Sequence, residues 1–438
     1  MARYLYSLLL YLGLPLVFLR LLWRSRRQPD YLRHLPERFG FLRLPAEATP
    51  LLWFHAVSVG ETRAAQPLLQ ALLARYPQHH LLLTCTTPTG RTTAQELFGQ
   101  QPRIHIAYAP YDLPGACHRL LRRLQPHRPA ALLLMETEVW PNQLAAARAH
   151  GLPTVLVNAR LSARSATGYR RFAALTEPAF ASLTAVAAQS EADAARLLAC
   201  GSPPPTVCGN IKFDVTPKPE LLTLGADWRQ HINTPTPRPV WLAASSREGE
   251  EGLLLDAFAR LRQQHPSALL LLVPRHPQRF AEVAALAESR FPGQVLRRSA
   301  GLPSPTTSVW LGDSMGEMAA YFAAADLAVM GGSLQPFGSQ NLIEAAACGC
   351  PVLLGPHTFN FAQASQDAVA AGAACQLADA PFPELLAPLA DTAARLLADT
   401  AALAAMRQSA RDFATAHRGA TARTLAVVAH VARAIGPA

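Results

Sequence analysis

Several short segments of this sequence set acids, or a rare cation, where the backbone could turn them to chemistry. In His55-Ala-Val-Ser-Val-Gly-Glu61-Thr-Arg63 an apolar run ends, a Ser/Gly turn follows, and a helix is expected to start near Glu61. The N-terminus of a helix keeps such a carboxylate ionised, and an ionised carboxylate can accept a proton. The same placement suits an ordinary capping Glu. In Leu134-Met-Glu136-Thr-Glu138-Val-Trp-Pro141-Asn142 a hydrophobic strand runs straight into two acids. On an extended chain they fall on one face, and charge at a buried strand end is costly without a partner. Either acid could instead cap the helix expected from Pro141.

Two further segments of the first half carry cations. From Asn158 to Arg171 the arginines Arg160, Arg164, Arg170 and Arg171 are interleaved with hydroxyls, a pattern for an anion or sugar phosphate, or for a solvated helix face. Cys208-Gly-Asn210-Ile-Lys212-Phe-Asp214 holds one of only two lysines, Lys212 and Lys218, among forty cations. A cation kept as Lys in so Arg-rich a chain suits a compact ammonium beside a phosphate or a developing oxyanion.

The second half reads as anion and nucleotide recognition. Ala244-Ser-Ser-Arg247-Glu248-Gly249-Glu250 is a strand–turn–helix start with free amides. Pro274-Arg275-His276-Pro277 puts a cation after a Leu-rich strand, and Gly312-Asp-Ser-Met315-Gly316-Glu317 follows another. Each also reads as an ordinary polar loop. The richest segment runs from Gly331-Gly332 through Gln340-Asn341-Leu342-Ile343-Glu344 to Gly349-Cys-Pro351. Paired glycines let a ligand approach the backbone. A helix is expected from near Gln340, with Glu344 able to accept from a ribose diol. P-loop, GxGxxG, HExxH and GxSxG patterns are missing, so P-loop hydrolysis, NAD chemistry, zinc proteolysis and α/β-hydrolase chemistry lack support.

These segments need scaffolds. The chain has 438 residues, half of them hydrophobic and 16% charged, which excludes general disorder and suits two domains. Apolar strand-like runs alternate with helix-period segments from about residue 50 to 208 and again from Val240 to Leu377. Continuous apolar strands between helices indicate parallel sheets covered on both faces. The predicted fold class is α/β: two Rossmann-like doubly wound domains behind an N-terminal membrane-anchoring helix. The expected boundaries are 1–27 for the anchor, 28–215 for a first α/β domain, 216–239 for a Pro-rich linker and 240–438 for a second α/β domain with C-terminal helices. Ligands then belong at strand C-termini, with two domains facing across a cleft.

The net charge is +10, but residues 1–43 alone hold eight Arg against two acids. A basic, apolar front end on a nearly balanced body points to an anionic membrane surface, not to nucleic acid. The Tyr4–Leu19 run is marginal for spanning and ample for an interfacial helix. No small-x-small cleavage site follows it, and its basic flank places the body on the cytoplasmic side. The seven cysteines lack CxxC spacing and read as free thiols.

From Gly338 the pattern G-x-x-N-x-x-E-A-A-x-x-G-x-P resembles the nucleotide-binding half of glycosyltransferases with the B-type fold. Glu37-Arg-Phe-Gly, VSVGE, TPTGR, METEVWPN, NARLS-x-RS, GNIKFD, VPRHPQR and GGSLQPFGSQNLIEAA narrow the resemblance to the 3-deoxy-D-manno-octulosonic acid (Kdo) transferases of lipopolysaccharide synthesis, over nearly the whole chain. The resemblance implies CMP-Kdo as donor, bound by the second domain, the tetraacylated glucosamine disaccharide precursor of lipid A as acceptor, bound by the first, and the cytoplasmic face of the inner membrane as location. It implies Glu61 as the catalytic base, with Glu136 or Glu138 and Lys212 as transition-state stabilisers. It puts the CMP contacts on Pro274, Arg275, Met315, Gly316, Glu317, Asn341, Leu342, Ile343 and Glu344. Arg275, Lys212 and helix amides would neutralise the leaving phosphate, so no metal or other cofactor is called for. Arg63, Arg160 and Arg164 are unranked candidates for the sugar carboxylate. The alternative is another lipid glycosyltransferase of the same fold using a UDP-sugar.

Overall fold

The computed structural model describes residues 1–26, 28–45 and 48–433. Arg27, which closes the expected anchor, and 434–438, at the end of the expected second domain, lie outside the described residues. The chain forms two compact units: Met1–Val215 together with the segment from Arg418, and Thr216–His417.

The first unit is built on seven strands: β1 (Leu51–His55), β2 (His80–Cys85), β3 (Ile104–Tyr108), β4 (Pro129–Met135), β5 (Thr154–Ala159), β6 (Ala185–Ala188) and β7 (Thr206–Val207). They form one parallel sheet in the order β3-β2-β1-β4-β5-β6-β7. β1 pairs His55 with Thr84 on one side and with Leu134 on the other. All five β1 residues are buried, because helices cover both faces of the sheet. Leu51 and Trp53 enter one core, and Leu52 and Phe54 the opposite one, as the two-residue period of a strand requires.

The second unit repeats the plan with β8 (Val240–Ser246), β9 (Leu269–Pro274), β10 (Val295–Arg297), β11 (Val309–Leu311), β12 (Leu327–Met330), β13 (Val352–Leu354) and β14 (Ala374–Gln376). Their order is β10-β11-β9-β8-β12-β13-β14, again parallel. In each sheet the order reverses beside the first strand, between β1 and β4 and between β8 and β12. Such switch points open a crevice at the strand C-termini, where ligands bind in doubly wound folds.

Two expectations are corrected. The stretch read as a linker contains a helix, Pro219–Ile232, that packs in the second unit. Its prolines are compatible with this, since Pro219 takes the first helical position, where no amide partner is lost. Trp228 of this helix is buried in T-shaped contact with Trp310, at 5.0 Å between ring centroids. The helix Ala420–Arg433, expected with the donor domain, belongs to the first unit. Asp214 accepts from the amides of Gly419 and Thr421, at 2.7 and 2.6 Å, and so caps that helix. The edge strand β10 has only three residues, too short to show a period.

The N-terminal helix spans Ala2–Ser25. Tyr6 donates to Asp112 (3.0 Å) and Ser7 to Asn142 (3.1 Å), which docks one side of it on the first unit. Leu5, Leu8, Leu9, Leu12, Leu16 and Leu19 remain exposed. All seven cysteines are free thiols.

Candidate active site

At the switch point of the first unit the loop after β1 and the loop after β4 carry the predicted acids. Ser58 caps the short helix Val59–Ala64 and accepts from the Glu61 amide. The Glu61 carboxylate in turn accepts from the Val57 amide at 2.8 Å and the Ser58 hydroxyl at 2.9 Å. This is a variant of the capping box, and it fixes the carboxylate. The helix terminus does not keep Glu61 fully ionised, as the sequence suggested. Burial, and then the charge of Glu136, push its pKa up to about 7, against the lowering hydrogen bonds from Val57 and Ser58. A carboxylate so poised is a better general base than an ordinary one, because its conjugate acid is weaker. His55, wholly buried on β1, is held down to about 4 by burial, and its Nδ1 pairs with the Thr84 hydroxyl. It is a neutral part of the core.

β4 ends at Met135, and the chain turns there, so Glu136 and Glu138 do not alternate along an extended strand as expected. Glu136 takes the left-handed conformation, φ 57°, which a non-glycine residue adopts only when its surroundings enforce it. The enforcement is visible: its buried carboxylate accepts from Lys212 Nζ at 2.7 Å and Arg160 Nε at 2.8 Å. Burial alone would raise the Glu136 carboxyl, but the two cations overcome it and hold the group below the usual carboxylate range. Glu138 has a different neighbourhood. It accepts from the Trp140 indole at 2.6 Å, and burial raises its pKa. The structure thus separates two acids that the sequence leaves equivalent, and Glu136 is the one joined to Lys212.

Lys212 is placed by residues that the spacing did not single out. Asn210 caps the 3-10 turn Ile211–Asp214 by accepting from the Lys212 amide (3.0 Å), and Asn158 Oδ1 accepts from the Ile211 amide (3.0 Å). Among the described residues, Arg160 is the arginine of the segment after β5 that pairs with one of these acids. Arg164 and Arg171 are exposed on the helix Ala163–Arg171, and Arg63 is exposed as well.

The second unit holds the predicted donor residues in three loops. Pro274 ends β9, and the exposed Arg275 follows, its amide bonded to the Ser246 carbonyl (3.0 Å). Met315 is exposed, Gly316 has φ 84°, and Glu317 accepts from the Ser314 hydroxyl and from Arg298 (3.2 Å). Asn341 caps the helix Leu342–Ala347, two residues later than expected, by accepting from the Ile343 amide (3.2 Å). Leu342 and Ile343 are core side chains, each 1% exposed, so only their backbone can face a ligand. Glu344 is half-buried in the first turn. The free amides expected around Arg247 are not free: Glu250 accepts from the Arg247 amide at 2.8 Å. Gly331 is required where it stands, since a Cβ there would meet the Ser245 carbonyl oxygen at 2.1 Å.

Two parallel doubly wound sheets, each with polar loops at its switch point, give the two-domain architecture called the B-type glycosyltransferase fold. A solved glycosyltransferase from Rickettsia africae shares this architecture, with a TM-score of 0.60 and 12% identity over 88% of this chain and all of its own. The sequence comparisons are closer. Residues 33–215 match the family described as 3-Deoxy-D-manno-octulosonic-acid transferase (kdotransferase). The chain is 46% identical to the 3-deoxy-D-manno-octulosonic acid transferase of Bordetella pertussis, over 97% of this chain and 98% of that protein. It is 38% identical to the Haemophilus influenzae transferase of the same name, over 82% and 84%. The chain belongs to the Kdo transferases, a family of glycosyltransferases.

Proposed function

We propose that this Kdo transferase moves the sugar from CMP-Kdo to a hydroxyl of the tetraacylated glucosamine disaccharide precursor of lipid A, with inversion at the anomeric carbon. The observation that carries the reading is Glu61: a half-buried carboxylate fixed by two donors, poised near pH 7, with the Glu136–Lys212–Arg160 cluster as its electrostatic neighbour. Glu61 takes the proton of the acceptor hydroxyl. The hydroxyl oxygen forms the new bond to the anomeric carbon as the bond to the phosphate oxygen breaks, and CMP leaves as a phosphate monoester. The transition state has oxocarbenium character. Lys212 and Arg160 outnumber Glu136 by one positive charge, which suits an anionic sugar. Arg275, the Met315–Glu317 loop and the Asn341–Glu344 helix start are assigned to CMP. The exposed leucines of the N-terminal helix and the arginines around them suit the cytoplasmic surface of the inner membrane, where such an acceptor resides.

The test is transfer from CMP-Kdo to the lipid acceptor in detergent, parent beside Glu61→Gln, with products resolved by mass and binding of CMP competed against UDP. Loss of transfer by about 10²–10⁴-fold in a variant that still binds CMP is the expected result. A folded parent that binds CMP but transfers nothing rules out the acceptor. Preference for UDP rules out the donor and favours the UDP-sugar alternative.

A further inference from the structure

Two buried acids, Glu250 and Glu251, begin the helix Glu250–Leu261 that follows β8. Successive residues on a helix diverge by about 100°, and β8 lies between β9 and β12 in the sheet. The two carboxylates therefore reach opposite ways. Glu250, with no exposed surface, accepts from the amides of Gly332 (2.8 Å), Leu334 (3.1 Å) and Gln335 (3.3 Å) in the loop after β12, besides Arg247. Glu251, 1% exposed, accepts from Arg279 through both oxygens, at 2.6 and 3.1 Å, in the loop after β9. It also accepts from the Ser246 hydroxyl at 2.9 Å.

Each contact leads to a donor-site residue. The Gly332 carbonyl accepts from the Ser339 amide (2.7 Å) and the Gly331 carbonyl from the Gln340 amide (2.9 Å), which delivers Asn341 to its capping position. Ser246 holds the Arg275 amide through its own carbonyl, and Arg279 lies four residues beyond Arg275. A buried carboxylate is costly unless its oxygens are filled, and here both are. The geometry points to Glu250 and Glu251 as a pair of positioning residues that clamp the two loops flanking the donor phosphate. The inference rests on the donor assignment above. It also gives the amides of Gly332, Leu334 and Gln335 an internal anion, so they serve as scaffold for the loop and do not bind the phosphate.

Three full-length variants test it in detergent: Glu250→Gln, Glu251→Gln and Arg279→Lys. Glu250→Gln and Glu251→Gln are expected to weaken CMP binding by about tenfold or more, the scale of one charge-assisted hydrogen bond. The KM for CMP-Kdo rises in parallel while the KM for the acceptor stays within about twofold; a merely structural lesion would not split the two in this way. Arg279→Lys, which keeps the charge and loses the bidentate fork, weakens CMP binding in the same direction. Hydrogen exchange supplies a readout without ligand: in Glu250→Gln the amides of Gly332, Leu334 and Gln335 exchange faster, with the β8 and β9 amides unchanged. Folded variants with parental CMP affinity overturn the clamp. If Glu250→Gln does not fold, parental affinity in Arg279→Lys overturns the Glu251 arm and with it the pair. A parent that binds no CMP sinks the donor assignment instead, and the exchange pattern then decides the clamp alone.

Discussion

Lys212 Nζ stands 2.7 Å from Glu136 Oε1, joining a 3-10 turn after β7 to the left-handed residue that ends the β4 run. Arg160 reaches the other oxygen of the same carboxylate. Glu136 thus orders two cations, and its charge contributes to the raised pKa of Glu61.

Glu136→Gln should therefore do two things. Lys212 and Arg160 lose their anchor, and kcat falls by about tenfold or more. The lost negative charge also lets Glu61 ionise more easily, so the acid limb of the kcat/KM profile moves to lower pH. A pH–rate profile of the variant checks both, and a limb unmoved from the parental position would uncouple the two acids.

Glu61 also predicts a pH dependence of stability. Its folded pKa, about 7, lies above the ordinary value of 4.5. Between those values the folded chain binds the proton more tightly than the unfolded one, so stability attached to this group is present at low pH and lost as pH rises toward 7. Replacing it removes that loss. Melting temperatures of Glu61→Gln relative to parent should therefore rise from pH 5 to pH 8, the sign of a buried acid held at a cost to stability.

Trp228 tests the corrected boundary. If residues 219–232 were a mere linker, Trp228→Ala would be nearly silent. Because the indole is buried against Trp310 and Tyr321, the substitution should cost about 3–5 kcal/mol. Thermal unfolding followed by tryptophan fluorescence reads the loss.

The exposed leucines of the N-terminal helix predict vesicle binding. Leu8→Ser with Leu12→Ser and Leu16→Ser should lower partitioning into anionic vesicles by more than about tenfold, with the first unit still folded. Co-sedimentation measures it. Binding that persists in the triple variant would put the membrane contact elsewhere.

Most of the scaffold was legible because its signals are local. Leu51–His55 and the Leu-rich β9 run are strands in any reading, since unbroken apolar stretches between helical patterns bury both faces of a parallel sheet. Ser58 and Glu61 likewise carry their capping relation in their spacing. The helix Pro219–Ile232 was hidden because proline marks both linkers and helix starts, and only Trp228 packing on Trp310 decides between them. The fate of the last helix was hidden for a similar reason. Its Ala- and Arg-rich sequence says helix, and Asp214, some two hundred residues earlier, says where it docks.

The amino-acid sequence by itself determined the twin parallel sheets, the apolar basic front end and the family. Those properties are written in periodicity, composition and short ordered motifs. Tertiary structure alone decided how the motifs meet. Glu37 of the first motif pairs with Arg91 of another at 2.5 Å, Lys212 chooses Glu136 over Glu138, and Arg279 closes on Glu251. It also decided that the Glu61 carboxyl is pushed up to about 7, by burial and by the charge of Glu136. A pKa depends on burial and on charges brought close by folding, and sequence spacing carries neither quantity.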